Sequence, residues 1–170
     1  MRQLLANGVD PHMPDQWGRT SLHIAAEIGS KEAVEILLTV LDDISAIDDQ
    51  SRTTMDIAIG ANHPPIVELL FKKDPVGANR CAENMTALQI ATILGREEIA
   101  KVILTLGVHV DAKDQFGWTA LHRASRAGVV AVGRLLLGNG ADIHAMTEQL
   151  SMPVHCAAEN AKDDMLRFLI

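Results

Sequence analysis

Apolar residues along this chain cluster in short blocks separated by a constant interval. The block Val34, Ile36, Leu37, Leu38 is followed by Val67, Leu69, Leu70, Phe71, then by Ala100, Val102, Ile103, Leu104. Gly133, Leu135, Leu136, Leu137 come next, and Leu166, Phe168, Leu169, Ile170 end the series. Neighbouring blocks are 33 residues apart without a slip. Each block predicts a helix of two to three turns that is apolar on nearly every side, so it needs neighbours in front and behind. Between blocks the polar positions repeat with the same period. Asp15 recurs as Asp48, Cys81, Asp114 and Thr147, and Thr20 as Thr53, Thr86, Thr119 and Met152. Ala25 recurs as Ala58, Ala91, Ala124 and Ala157. A fixed period of this length marks a solenoid whose units bury their apolar faces only by stacking.

Within one unit the order of elements is legible. Asp114-Gln115-Phe116-Gly117-Trp118 reads as a turn, and Thr119 as the N-cap of a first helix. Gly128 terminates that helix and Gly138 to Gly140 terminate the second. Pro64-Pro65 falls at the start of a second helix, where proline is tolerated. The expected fold class is all-α, a solenoid of helix-turn-helix units with projecting turns. The expected division is a partial unit at 1–14, full units at 15–47, 48–80, 81–113 and 114–146, and a partial unit at 147–170. Because both ends cut a unit, the reading favours a piece of a longer array.

The motif Thr119-Ala120-Leu121-His122-x-Ala124, preceded by Asp114 and followed by Gly128, resembles the ankyrin repeat. Thr20-Ser21-Leu22-His23-Ile24-Ala25-Ala26 and Gly140-Ala141-Asp142-Ile143 resemble it as well, and the likeness runs the whole length. It departs at Asp56 and Gln89, where the motif carries histidine, and at Met152 and Thr147. Leu41 and Asp74 stand where Gly8, Gly107 and Gly140 recur, so those two loops are expected to bend differently. The resemblance implies that turns project as fingers and that partners dock on the concave face they share with the first helices.

Composition narrows the function. A net charge of −7 argues against nucleic acid as the default ligand, since phosphate binding leans on a clustered basic surface. No apolar run approaches the roughly 18 residues that span a bilayer. Cys81 and Cys156 lie too far apart in the array to pair, which suits a reducing compartment, cytoplasmic or nuclear. His23, His122 and His155 take the helix-start position of the motif and read as scaffold, and His155-Cys156 lacks the second pair of ligands a zinc site needs. Asp42, Asp43, Asp48 and Asp49 read as a solvated acidic edge. No nucleophile elbow or phosphate loop is present, so neither a catalytic residue nor a cofactor is expected.

The chain has only five aromatic residues, and Trp17, Phe116 and Trp118 fall on finger positions that the scaffold leaves free. Arg19, Arg52, Met85 and Arg126 share that surface. Trp and Arg commonly carry interface energy. The expected protein-binding set is therefore Trp17, Arg19, Arg52, Met85, Phe116, Trp118 and Arg126, and the expected partner a protein or an acidic-hydrophobic peptide. A monomer is expected unless the array ends associate. The alternative is a regulatory or targeting segment of a larger enzyme or membrane channel.

Overall fold

A computed structural model describes residues 10–77, 79 and 84–170. Its helices come in pairs. They are α1 (Ser21–Ile28) and α2 (Lys31–Val40), α3 (Thr54–Gly60) and α4 (Pro64–Lys73), α5 (Ala87–Ile93) and α6 (Glu97–Thr105). The series continues with α7 (Ala120–Ala127) and α8 (Val130–Gly138), then α9 (Pro153–Glu159) and α10 (Asp163–Leu169). First helices pack on first helices and second helices on second helices, in an all-α solenoid. Its partial first unit, including Gly8, and Cys81 fall mainly or wholly outside the described residues.

Small residues let the inner layer stack closely. Ala58, Ala91, Ala124 and Ala157 are fully buried, and Leu22, Met55, Leu88 and Leu121 fill the space beside them. The outer layer interlocks through Ile66, Ile99, Val132 and Met165, with Leu70, Ile103 and Leu136 one turn further on. These side chains form one continuous cluster, as a stack with no separate domain core requires.

The sequence departures at the helix start preserve one hydrogen-bonding role. The Thr119 N–H donates to His122 Nδ1 at 3.2 Å, and the Thr20 N–H to His23 Nδ1 at 3.1 Å. Where histidine is replaced, the Thr53 N–H donates to Asp56 Oδ2 at 2.8 Å and the Thr86 N–H to Gln89 Oε1 at 2.9 Å. Any side-chain acceptor three residues past the N-cap closes this capping box.

Two backbone positions per unit take the left-handed conformation at 33-residue intervals. One series is Gly18, Ser51, Asn84, Gly117 and Leu150 at the finger, and the other is Gly29, Asn62, Gly95, Gly128 and Ala161 after the first helix. The last unit departs furthest from glycine, with φ of 59° at Leu150 and 51° at Ala161. A side chain there costs about 1–2 kcal/mol, partly offset by the entropy glycine would lose on folding. Leu150→Gly and Ala161→Gly should therefore each stabilise the array by about 0.5–1 kcal/mol, read from the urea midpoint. The two loops lacking glycine do bend differently. Leu41 turns inward and is buried at φ −90°, and Asp74 has φ −143°, while Gly107 and Gly140 have φ of 81° and 85°.

Candidate functional site

Among the described residues, four fingers are each held by one side chain accepting from two backbone N–H groups. Asp15 Oδ1 accepts from Trp17 and Arg19, both at 2.9 Å, and Asp48 Oδ1 accepts from Gln50 and Arg52 at 2.9 Å. Asp114 Oδ1 does the same for Phe116 and Trp118, and Thr147 Oγ1 for Gln149 and Ser151. Asp48 is thus buried, 5% exposed, and braces a finger. This corrects its expected place in a solvated acidic edge, where Asp42, Asp43 and Asp49 do stand exposed.

Neighbouring fingers are clamped to one another. The Asp49 N–H donates to the Trp17 carbonyl at 3.1 Å, and the Glu148 N–H to the Phe116 carbonyl at 3.3 Å. Asn84 Nδ2 donates to Gln115 Oε1 at 3.1 Å. Beneath the fingers, Gln89 Nε2 donates to the Trp118 carbonyl at 2.6 Å, and His122 Nε2 bonds the Ser151 carbonyl at 2.9 Å. His23 Nε2 faces the Ala46 and Arg52 carbonyls without closing a normal hydrogen bond. The finger row is therefore a preformed surface.

The expected binding residues separate into two kinds. Trp17 and Phe116 each leave 55% of their surface in solvent. Arg126 is also exposed, and its guanidinium lies 5.6 Å from the Trp118 ring centre. Met85 and Trp118 are half-buried. Trp118 also packs against His122 at 5.9 Å and under the Arg123 guanidinium at 4.7 Å, so it supports its unit as well as lining the surface.

Arg19 and Arg52 are not open charges. Arg19 contacts Asp15 Oδ2 at 2.9 Å and Glu27 Oε2 at 2.9 Å, with its guanidinium 4.8 Å from the Trp17 ring. Arg52 holds Asp48 Oδ2 at 2.7 Å. In the fourth unit Trp118 takes the place of these arginines, and Arg123 reaches from α7 to pair with Asp114 instead. The Asp-x-x-x-Arg spacing at 15–19 and 48–52 is the sequence signal that could have shown this pairing.

A cleft of about 270 Å³ opens between the first two fingers, lined by Trp17, Arg19, Asp48, Asp49, Gln50 and Arg52. Beyond the expected set, the exposed side chains of Asp49 and Glu148 lie against the glycines that follow the two exposed rings. A Cβ on Gly18 would lie 2.6 Å from Asp49 Oδ1, and one on Gly117 would lie 3.3 Å from Glu148 Cγ.

The profile of the family described as "Ankyrin repeats (3 copies)" matches residues 1–80, 42–114, 73–147 and 107–170. The chain belongs to the ankyrin-repeat family. The ankyrin repeat is a non-catalytic interaction fold that generally binds protein partners. Among its relatives is Neurogenic locus notch homolog protein 1. The Xenopus laevis protein is 29% identical over 75% of this chain and 5% of its own length, and the Homo sapiens protein 27% identical over 84% and 6%. Potassium channel AKT2/3 of Arabidopsis thaliana is 30% identical over 83% of this chain and 17% of its own length. This ankyrin chain thus spans a small fraction of the relatives it matches. No helix among the described residues is long and apolar enough to cross a membrane.

The capping histidines give these ankyrin repeats a pH dependence. Burial lowers the pKa of His23 and His122 below the ordinary 6.5. The folded state therefore resists protons that the unfolded chain takes up. Stability is fully present above about pH 6.5 and is lost as pH falls through the depressed values. Asp15 and Asp48 act in the same direction in a lower pH range. Burial alone would raise their pKa, but hydrogen bonds from finger N–H groups and an arginine hold it below 3.8. Their contribution fails only under stronger acid. Urea midpoints should drop between pH 7 and pH 5, and a His23→Gln, His122→Gln double variant should flatten that slope. Gln89 already serves this position in the third unit.

Proposed function

We propose that the array is a docking module that binds a partner protein across its fingers and first helices, through Trp17, Arg19, Arg52, Met85, Phe116, Trp118 and Arg126. The units involved are four full repeats starting at 15, 48, 81 and 114, between two partial ones. The observation that carries this reading is the pair Trp17 and Phe116. Two large rings stand half in solvent on clamped fingers three repeats apart. A rigid surface loses little ordering entropy on binding. Arg19 and Arg52 hold the fingers in shape with half-buried side chains, and Arg126 contributes the open charge. The buried free thiol of Cys156 supports work in a reducing compartment, cytoplasmic or nuclear, and the module acts as a monomer unless the array ends associate.

Affinity capture tests the reading. Each truncation of an anchor ring should cost about 2 kcal/mol, so a Trp17→Ala, Phe116→Ala double variant should lose the partner that the unaltered chain retains. An outer-face Lys72→Ala variant should retain it. Equal capture by all three proteins overturns this placement. The relatives favour a second reading, a regulatory or targeting segment of a larger enzyme or channel, because each is many times longer than this chain. Coding sequence beyond Ile170 tests it: an enzyme or pore segment there supports the reading, and an uninterrupted interaction protein overturns it.

A further inference from the structure

Trp17, Gly18 and Asp49 make a three-part arrangement that recurs three units later as Phe116, Gly117 and Glu148. In each, an aromatic ring 55% exposed sits on one finger. A left-handed glycine follows it, at φ 73° or 75°. The next finger donates its N–H to the aromatic residue's carbonyl and sets an exposed acidic side chain against the glycine, through Asp49 Oδ1 at Gly18 and Glu148 Cγ at Gly117. Neither Asp49 nor Glu148 makes an ion pair with a described residue. At the middle fingers Gln50 replaces the ring, and the amides of Asn84 and Gln115 bond each other.

An aromatic face attracts a cation, and an adjacent carboxylate reinforces the preference. At the first notch the surrounding charge has the same sign. Around the first notch the carboxylates of Asp15, Glu27, Asp48 and Asp49 outnumber the guanidiniums of Arg19 and Arg52, both already paired, with Arg19 itself lying over one face of the Trp17 ring. Asp42 and Asp43 stand exposed in the chain leading to this finger.

Resting on the docking reading above, we propose that the partner presents an extended basic segment whose two lysine or arginine side chains enter the Trp17–Asp49 and Phe116–Glu148 notches. Stacked helices lie about 8–10 Å apart, so three units separate the notches by about 25–30 Å. An extended chain rises about 3.3–3.6 Å per residue, which places the two basic residues about eight positions apart. Engaging both at once raises affinity beyond either contact alone.

The test is a titration of the ¹⁵N-labelled 170-residue chain with synthetic Gly/Ser peptides carrying two lysines eight positions apart. Trp17 and Trp118 are its only tryptophans, so the Trp17 indole signal reports the first notch and the Glu148 amide the second. Both should shift, and less so at high salt. A peptide with its lysines two positions apart should bind more weakly. Asp49→Asn and Glu148→Gln should each weaken binding about 2- to 5-fold, and together they should abolish the spacing preference. These side chains are exposed and their clamps are backbone bonds, so folding should be unchanged. A glutamate analogue that shifts the same signals at equal or lower concentration overturns the basic partner while leaving the docking surface intact. Unmoved notch signals at millimolar lysine peptide, or variants that bind as the unaltered chain does, also overturn the proposal.

Discussion

Leu121→Ala should destabilise the array by about 2–5 kcal/mol, the largest effect expected from a single truncation. Leu121 is fully buried in α7, and its unit is packed on both sides. Removing its branched end leaves a cavity that the alanine-rich first-helix layer is too closely stacked to fill. Stability in a solenoid is a sum over units and the interfaces between them, so both flanking interfaces weaken. The urea midpoint should fall well below that of the unaltered chain, while Ile28→Ala, at a residue 72% exposed, should stay within about 0.5 kcal/mol. Equal effects from the two variants would contradict the burial described for them.

Gly117→Val should destabilise by about 2–3 kcal/mol through a different cause. Gly117 has φ 75°, which a β-branched side chain tolerates poorly. The added Cβ would also lie 2.9 Å from the Glu148 backbone nitrogen, so the next finger must move. The clamp from the Glu148 N–H to the Phe116 carbonyl would open. The expected signature is a lower urea midpoint, with faster hydrogen exchange concentrated at 114–118 and 147–151. Gly107→Ala is the informative contrast. It has φ 81° but open space around its Cβ, so it should cost only the conformational term, about 1–2 kcal/mol.

Most of the scaffold is readable before any coordinates are seen, and particular residues show why. Thr119 is the N-cap because a threonine before an apolar stretch has little else to do at that spacing. Pro64 opens a second helix because its missing N–H is no loss there. The histidines belong to the scaffold because every unit needs an acceptor three residues past its cap, and Asp56 and Gln89 meet that need with other chemistry. Misreadings concentrate on charge. Asp48 looked solvated because its neighbours Asp42, Asp43 and Asp49 are, yet its carboxylate braces a turn. Arg19 and Arg52 stand on the finger surface with their carboxylate partners only four residues back.

Period, helix pairs, caps and buried layers can all be read from the amino-acid pattern. They can because each unit meets only its neighbours, so a residue's place in the repeat sets its surroundings. Which charges are engaged, and which finger each ring is clamped to, emerges only in the folded array. Trp17 meets the finger of Asp49, and Phe116 that of Glu148, across 32 residues of chain, in a register set by the stagger of one unit on the next. That stagger comes from side-chain packing between helices, which a one-dimensional pattern does not encode.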